Sequence, residues 1–241
     1  MDIHKPKPWH GWREFLKEYV IIVVGVLTAL GAEQFAASIH DARLADETRA
    51  TAHAELTQAL DRYRSRLPLE PCIDRRLEEF GHLLATAGDA GYIAPAWIGR
   101  PQFWGFNSSG WDAATQGGRT ALLHDAERTR LGAIYGQLRD LSRLEQEEQR
   151  AWADLRQMED QQRLDPQTLA VVRSALQQAR LANWNVRVDV AQALANARGV
   201  GIHFDGAAAK ASPSICLPTN TPRAEAVAQI NRFFGDQLGE P

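Results

Sequence analysis

The chain has 241 residues, 44% of them apolar and 24% charged, and a net charge of −3. That length holds one substantial domain or two small ones. The slight acidity, with no block of Lys or Arg, excludes the electrostatic footprint of a nucleic-acid binder.

The first element is the apolar run in EYVIIVVGVLTALGAEQ, residues 18–34. Its uncharged core, Tyr19 to Ala32, holds fourteen residues, short of the roughly 20 that a bilayer-crossing helix needs. Continued through Phe35, Ala36, Ala37, Ser38 and Ile39 it reaches 21. Glu33 then lies off-centre, where an acid costs less than the about 2.5–3.5 kcal/mol of a central one. Ile21, Ile22, Val23, Val24, Val26, Leu27 and Leu30 offset that cost. The reading is a transmembrane helix over 19–39. A signal peptide cut near Ala29-Leu30-Gly31 is one alternative, and a core helix of a soluble protein is another. Glu18 at the edge of the run and the long preceding segment speak against cleavage. Gly11 to Lys17 reads as an amphipathic lead-in anchored by Trp9 and Trp12.

Lys5, Lys7, Arg13 and Lys17 precede the run, and only Arg43 is basic between Glu33 and Glu47. This asymmetry predicts a cytoplasmic N-terminus and an exported body. The expected organisation is a tail over 1–18, a membrane helix over 19–39 and a periplasmic helical domain over 40–241. Gly25, Ala29 and Glu33 recur every fourth residue and share a helix face. Small residues with one polar group on such a face permit self-association of membrane helices. The plainer reading is that Gly and Ala are common in spans and Glu33 reaches toward the interface.

The opening MDIHKPKPWHGWREFLKEYVIIVVGVLTALGAEQ resembles the N-terminus of a bacterial family of single-pass inner-membrane proteins of unknown function. Its members carry similar MDIHKPKP, WREFLKE, IIVVGVLTALG and EQ segments ahead of a helical domain. The similarity continues at WIGRPQFW (97–104) and WDAATQGGR (111–119), while Thr28 departs from the apolar residue expected there. The resemblance implies an uncleaved inner-membrane anchor and implies no activity.

Beyond the anchor, Leu56, Leu60, Tyr63 and Leu67 follow the helical period. No Pro or Gly interrupts residues 32–67, so the membrane helix is expected to continue as a stalk of roughly 50 Å past Gly31. Pro68 and Pro71 stop it. A second helix opens at Cys72, with Ile73, Leu77, Phe80 and Leu84 as its buried stripe and Gly88 at its end. Residues 89–119 read as irregular, broken by Pro95, Pro101 and six glycines. Two long helices follow. Leu131, Ile134, Leu138, Leu141, Trp152 and Leu155 mark the first. Leu169, Val172, Leu176, Ala179, Val186 and Val190 mark the second. Asp165-Pro166 between them is a cap followed by proline in the first turn. Residues 120–198 are therefore an expected antiparallel hairpin, its seam interrupted by a stretch Glu145–Glu148 read as solvated. A last helix begins at Thr221-Pro222, with Val227, Ile230, Phe234 and Leu238 as its apolar face. The fold class is all-α.

In an oxidising compartment Cys72 and Cys216 form a disulfide; in a reducing one they are two buried thiols. Closing so long a loop contributes about 5 kcal/mol in the chain-entropy model. Seven histidines are scattered without HxxxH or HExxH spacing, and Glu79-x-x-His82 stands alone, so no metal site is read. Ser108, Ser109, Asp112 and His124 are the right types for hydrolysis but lack a nucleophile elbow. No phosphate cradle occurs. The best functional candidate is the aromatic segment with Tyr92, Trp97, Arg100, Phe103, Trp104 and Trp111. It reads either as an interaction surface or as a wedge filling the space between helices.

These readings describe a membrane-anchored interaction or scaffold protein, not an enzyme and without a cofactor. Its expected partners are the lipid bilayer, an unidentified protein and a second copy met through the membrane helix. The other reading is a periplasmic ligand-binding protein or enzyme with a pocket built by 92–119.

Overall fold

The structure, a computed structural model, describes residues 11–87, 92–159, 161–204, 208 and 210–238. Residues 1–10, with Lys5, Lys7 and Trp9 of the expected tail, lie outside the described residues, as does Gly88. Among the described residues the chain is all-α, with no strand. The helices are α1 (Trp12–Arg64), α2 (Glu70–Ala85), α3 (Ser109–Gln116), α4 (Asp125–Leu155), α5 (Pro166–Arg198) and α6 (Arg223–Leu238).

Helix α1 is 53 residues long, about 80 Å at 1.5 Å per residue. Its surroundings change along its length. Residues 19–43 are exposed nearly all round. From Thr48 one face is buried, through Ala52, Leu56, Ala59, Leu60 and Tyr63. The expected stalk is therefore shorter than its sequence suggests. The helix joins the bundle at Thr48, about 25 Å beyond Gly31, because the stripe read as a stalk face is core. Leu67 leaves that stripe and is 39% exposed. A 3-10 turn over Leu67–Leu69 has intervened, placed by Pro68, which has no N–H to extend the ladder. The chain then re-enters helix at Glu70, two residues before Cys72, with Pro71 in the first turn of α2, where its missing N–H costs nothing.

Helices α4 and α5 pack along each other more extensively than any other pair. Leu131 to Leu141 share a core with Val186 to Ala197, and Ala151 to Leu155 share another with Val172 to Ala179. The ends match in reverse, so the hairpin is antiparallel. Asp165 caps α5 as its sequence predicts, Oδ1 accepting from the backbone N–H of Gln167 at 2.9 Å and Thr168 at 3.1 Å.

The two cores lie at the two ends of the hairpin. The second half of α1 covers one, adding Ala52, Leu56, Leu60 and Tyr63 to it. Helix α2 covers the other with Ile73, Leu77, Phe80 and Leu84. Fully burying each such side chain is worth about 1.5–3 kcal/mol. The break between α1 and α2 falls at the level where the two cores meet.

Two elements differ from the sequence reading. The irregular segment contains α3, whose N-terminal N–H groups find an acceptor outside the local sequence. Glu55 of α1 accepts from Gly110 at 2.7 Å and Trp111 at 3.1 Å. Helix α6 buries Ala226 completely but leaves Val227 41% and Phe234 40% exposed. Its apolar stripe is not a core face, because only the start of the helix is seated on the bundle.

Candidate functional site

The sequence groups Tyr92, Trp97, Arg100, Phe103, Trp104 and Trp111 as one surface, and the structure divides them. Trp111 lies in the core under α1, its ring stacked on Tyr135 with centroids 4.7 Å apart. Tyr92 is half-buried against the other core, and burial raises the pKa of its hydroxyl. Trp97 is buried and donates its indole N–H to Ser214 O at 2.9 Å. Arg100, Phe103 and Trp104 remain at the surface or half-buried. Trp97, Arg100, Phe103 and Trp104 converge with Phe234 of α6 around a cavity of about 410 Å³.

The cavity wall is held by contacts distant in sequence. The backbone N–H groups of Ala96 and Trp97 both donate to Thr219 O, at 2.9 and 3.0 Å. Ser212 N donates to Gln102 Oε1 at 2.7 Å. Gly99 has φ +67, and a Cβ there would stand 2.9 Å from Ser214 O, so the close pass of the two strands of chain requires glycine. Arg76 of α2, 2% exposed, donates to the carbonyls of Trp97, Ile98 and Leu217. Burial lowers its pKa, opposed by Glu79.

Cys72 and Cys216 complete this fastening, with Sγ atoms 2.06 Å apart and a separation of 144 residues in sequence. Arg76 and the bridge thus join the same late loop to α2, one by hydrogen bonds and one covalently. Cys72→Ser with Cys216→Ser is expected to lose about 3 kcal/mol. That is less than loop closure alone gives, since measured effects track loop length weakly. Urea unfolding of both proteins under oxidising conditions checks this, and equal midpoints would refute it.

A second polar cluster sits where the two cores meet, and here the sequence reading is corrected. Glu145–Glu148 is not a solvated stretch. Gln146 and Glu147 face solvent, but Glu145 is 1% and Glu148 0% exposed. The two are three residues apart and share the inner face of α4. Glu148 receives a fork from Arg66, Nη1 to Oε2 at 2.8 Å and Nη2 to Oε1 at 2.7 Å. Arg66 also donates to Glu70 at 2.9 Å and to Asn183 of α5 at 2.7 Å. Asn183 passes the network to Asp74 at 2.9 Å, and Arg187 reaches the same carboxylate at 3.3 Å. Burial still raises the pKa of Glu70, outweighing Arg66. Glu145 stands apart, with neither carboxyl oxygen hydrogen-bonded. Burial pushes its pKa up to about 8 against the attraction of Arg66, with Tyr63 and Gly105 close enough to oppose the shift weakly.

The hydrolytic residue types serve other ends. Ser108 Oγ donates to Asp112 at 2.7 Å, and Arg139 binds both. His124 caps α4, its Nδ1 accepting from Ala126 N. Among the described residues no three His, Cys, Asp or Glu side chains stand together as a metal site would need. In the apolar half of α1, Gly25, Ala29 and Glu33 are exposed on one face, with nothing within 4 Å of a Cβ built at Gly25. Thr28 returns its hydroxyl to Val24 O at 2.8 Å, which satisfies its polarity within the helix.

No family model, curated protein or solved structure matches the chain. The function must therefore be read from geometry.

Sequence reading missed Ser212, Arg156 and Glu159 in the cavity wall, and all of the Arg66 network. Ser212 carried no local signal. The buried acids carried one, a pair of glutamates on the apolar face of a helix.

Proposed function

We propose that the chain is a single-pass, membrane-anchored interaction module. Its N-terminus lies in the cytoplasm and its helical head in the periplasm, and it works by contact rather than by catalysis. The observation that carries this reading is the change of character within α1. An 18-residue window there has mean hydropathy 1.9 and none of it is buried. Ile21 is 70%, Ile22 64% and Leu27 63% exposed. Further along the same unbroken helix the apolar residues keep to one face and are covered by α4 and α5. An all-round apolar surface of that length is what lipid covers. Trp12, Phe15 and Tyr19 form a chain of ring contacts at its start, at 6.0 and 6.4 Å, placing aromatic side chains where a membrane interface favours them. A bridged cysteine pair suits an exported, oxidising location.

The full-length chain is expected to stay in the membrane pellet through alkaline carbonate extraction. A single cysteine added at exposed Gln178 of a cysteine-free variant is expected to react with a membrane-impermeant maleimide in intact spheroplasts. One added at Glu14 is expected to react only after lysis. Release by carbonate, or the opposite labelling pattern, would overturn the proposal.

A further inference from the structure

We propose that the cavity between the 97–104 segment and α6 is a binding site for a small aromatic carboxylate. This stands on the head alone and does not depend on the membrane reading. Its volume, about 410 Å³, lies in the range of small-molecule sites. Trp97, Phe103 and Phe234 give it aromatic walls, with Phe103 and Phe234 each 40% exposed and so free to cover a ligand.

The charge around these walls is unbalanced. Arg100 hydrogen-bonds only a neutral group, Gln149 Oε1 at 2.7 Å, and among the described residues it has no carboxylate partner. Glu159, its side chain 6% exposed, is shared between Arg156 at 3.4 Å and Arg223 at 3.3 Å. Its other oxygen accepts from Ile98 N at 3.1 Å. Among the described residues that line the cavity, two guanidinium groups, Arg100 and Arg156, thus stand with one carboxylate, Glu159. An anion corrects this excess, and Arg100 can grip a planar carboxylate with two parallel N–H donors.

A flat apolar body with one carboxylate meets these demands together. The aromatic walls sandwich the body, and Arg100 takes the negative charge. A neutral aromatic would leave the guanidinium excess untouched, and a cation would add to it.

The test is isothermal titration of naphthalene-2-carboxylate into the full chain in lipid nanodiscs, with empty discs as the blank. Saturable binding at one site per chain is expected. Naphthalene-2-methanol, which has the ring system without the charge, should bind roughly tenfold more weakly. Arg100→Gln should weaken the acid by a similar factor and leave the alcohol unchanged. Phe234→Ala should weaken both. Both positions are at the surface, and unchanged far-UV circular dichroism confirms that the variants fold. No saturable heat, equal affinity for acid and alcohol, or an Arg100→Gln protein that binds the acid as tightly as the parent would each overturn the proposal.

Discussion

Arg66→Met is expected to lower the unfolding free energy by about 3–5 kcal/mol, the usual cost of removing one partner from a buried ion pair. Arg66 is 4% exposed and makes four hydrogen bonds to three residues. Burial alone would lower its pKa, but Glu148 and Glu70 outweigh that and raise it. Methionine matches the length of the stem and removes the charge. It leaves the Glu148 carboxylate, at 0% exposure, without the cation that holds it, and leaves Glu70 only the attraction of Arg187. The melting temperature should fall by roughly 10 °C.

The same argument predicts a rescue. Arg66→Met combined with Glu70→Gln and Glu148→Met removes the orphaned charges with their partner, and well-packed apolar replacements of buried ion pairs are often neutral or better. The triple variant should recover most of the loss in urea unfolding. A single variant within about 1 kcal/mol of the parent would show that the fork is not held as described, since that is the range of exposed pairs. A triple variant no better than the single would show that the loss came from packing and not from stranded charge.

Glu145→Gln is expected to remove a pH dependence of stability. The carboxyl titrates from 4.5 in the open chain to about 8 when folded. Between those values the folded protein holds a proton that the unfolded chain releases, so stability falls as pH rises, by about 1.4 kcal/mol per unit. The contribution is complete below pH 4.5 and gone above pH 8. From pH 5 to pH 8 the parent should lose about 4 kcal/mol that the glutamine variant keeps. Tyr63, Arg66 and Glu148 act on the same carboxyl, but all three are present in both proteins, and the difference isolates residue 145. Urea midpoints at pH 5.5 and 8.5 provide the measurement. Parallel pH slopes in the two proteins would contradict a buried, protonated Glu145.

The helices were legible where burial repeats within one element. Ile73, Leu77, Phe80 and Leu84 in α2, and the stripes of α4 and α5, follow the helical period because each packs against a long neighbour through several turns. Asp165-Pro166 was legible because a cap is a local hydrogen bond. The buried acids were not, since the guanidinium that satisfies Glu148 lies 82 residues earlier. Local hydropathy assigns a glutamate to solvent unless its partner is known. Helix α3 was hidden for the same reason: Glu55, 55 residues before Gly110, accepts from its first turn. At α6 the period was present and its meaning was different. The stripe with Val227 and Phe234 lines and flanks a cavity and does not face the core, and periodicity alone cannot tell these apart. The cavity itself joins four separate stretches of chain, and only their company gives Arg100 and the aromatic walls a common purpose.

The unbroken course of α1 also fixes a direction. Ala29 and Leu56 are 27 residues apart, about seven and a half turns at 3.6 residues per turn. Ala29, with Gly25 and Glu33 to either side, therefore points away from the side on which Leu56 meets the hairpin. Glu47, Ala54 and Gln58 continue that line past the apolar half, and all three are bare of contacts that would cover them. One face of α1 is thus left uncovered from its apolar half to Gln58, opposite the side that the bundle occupies.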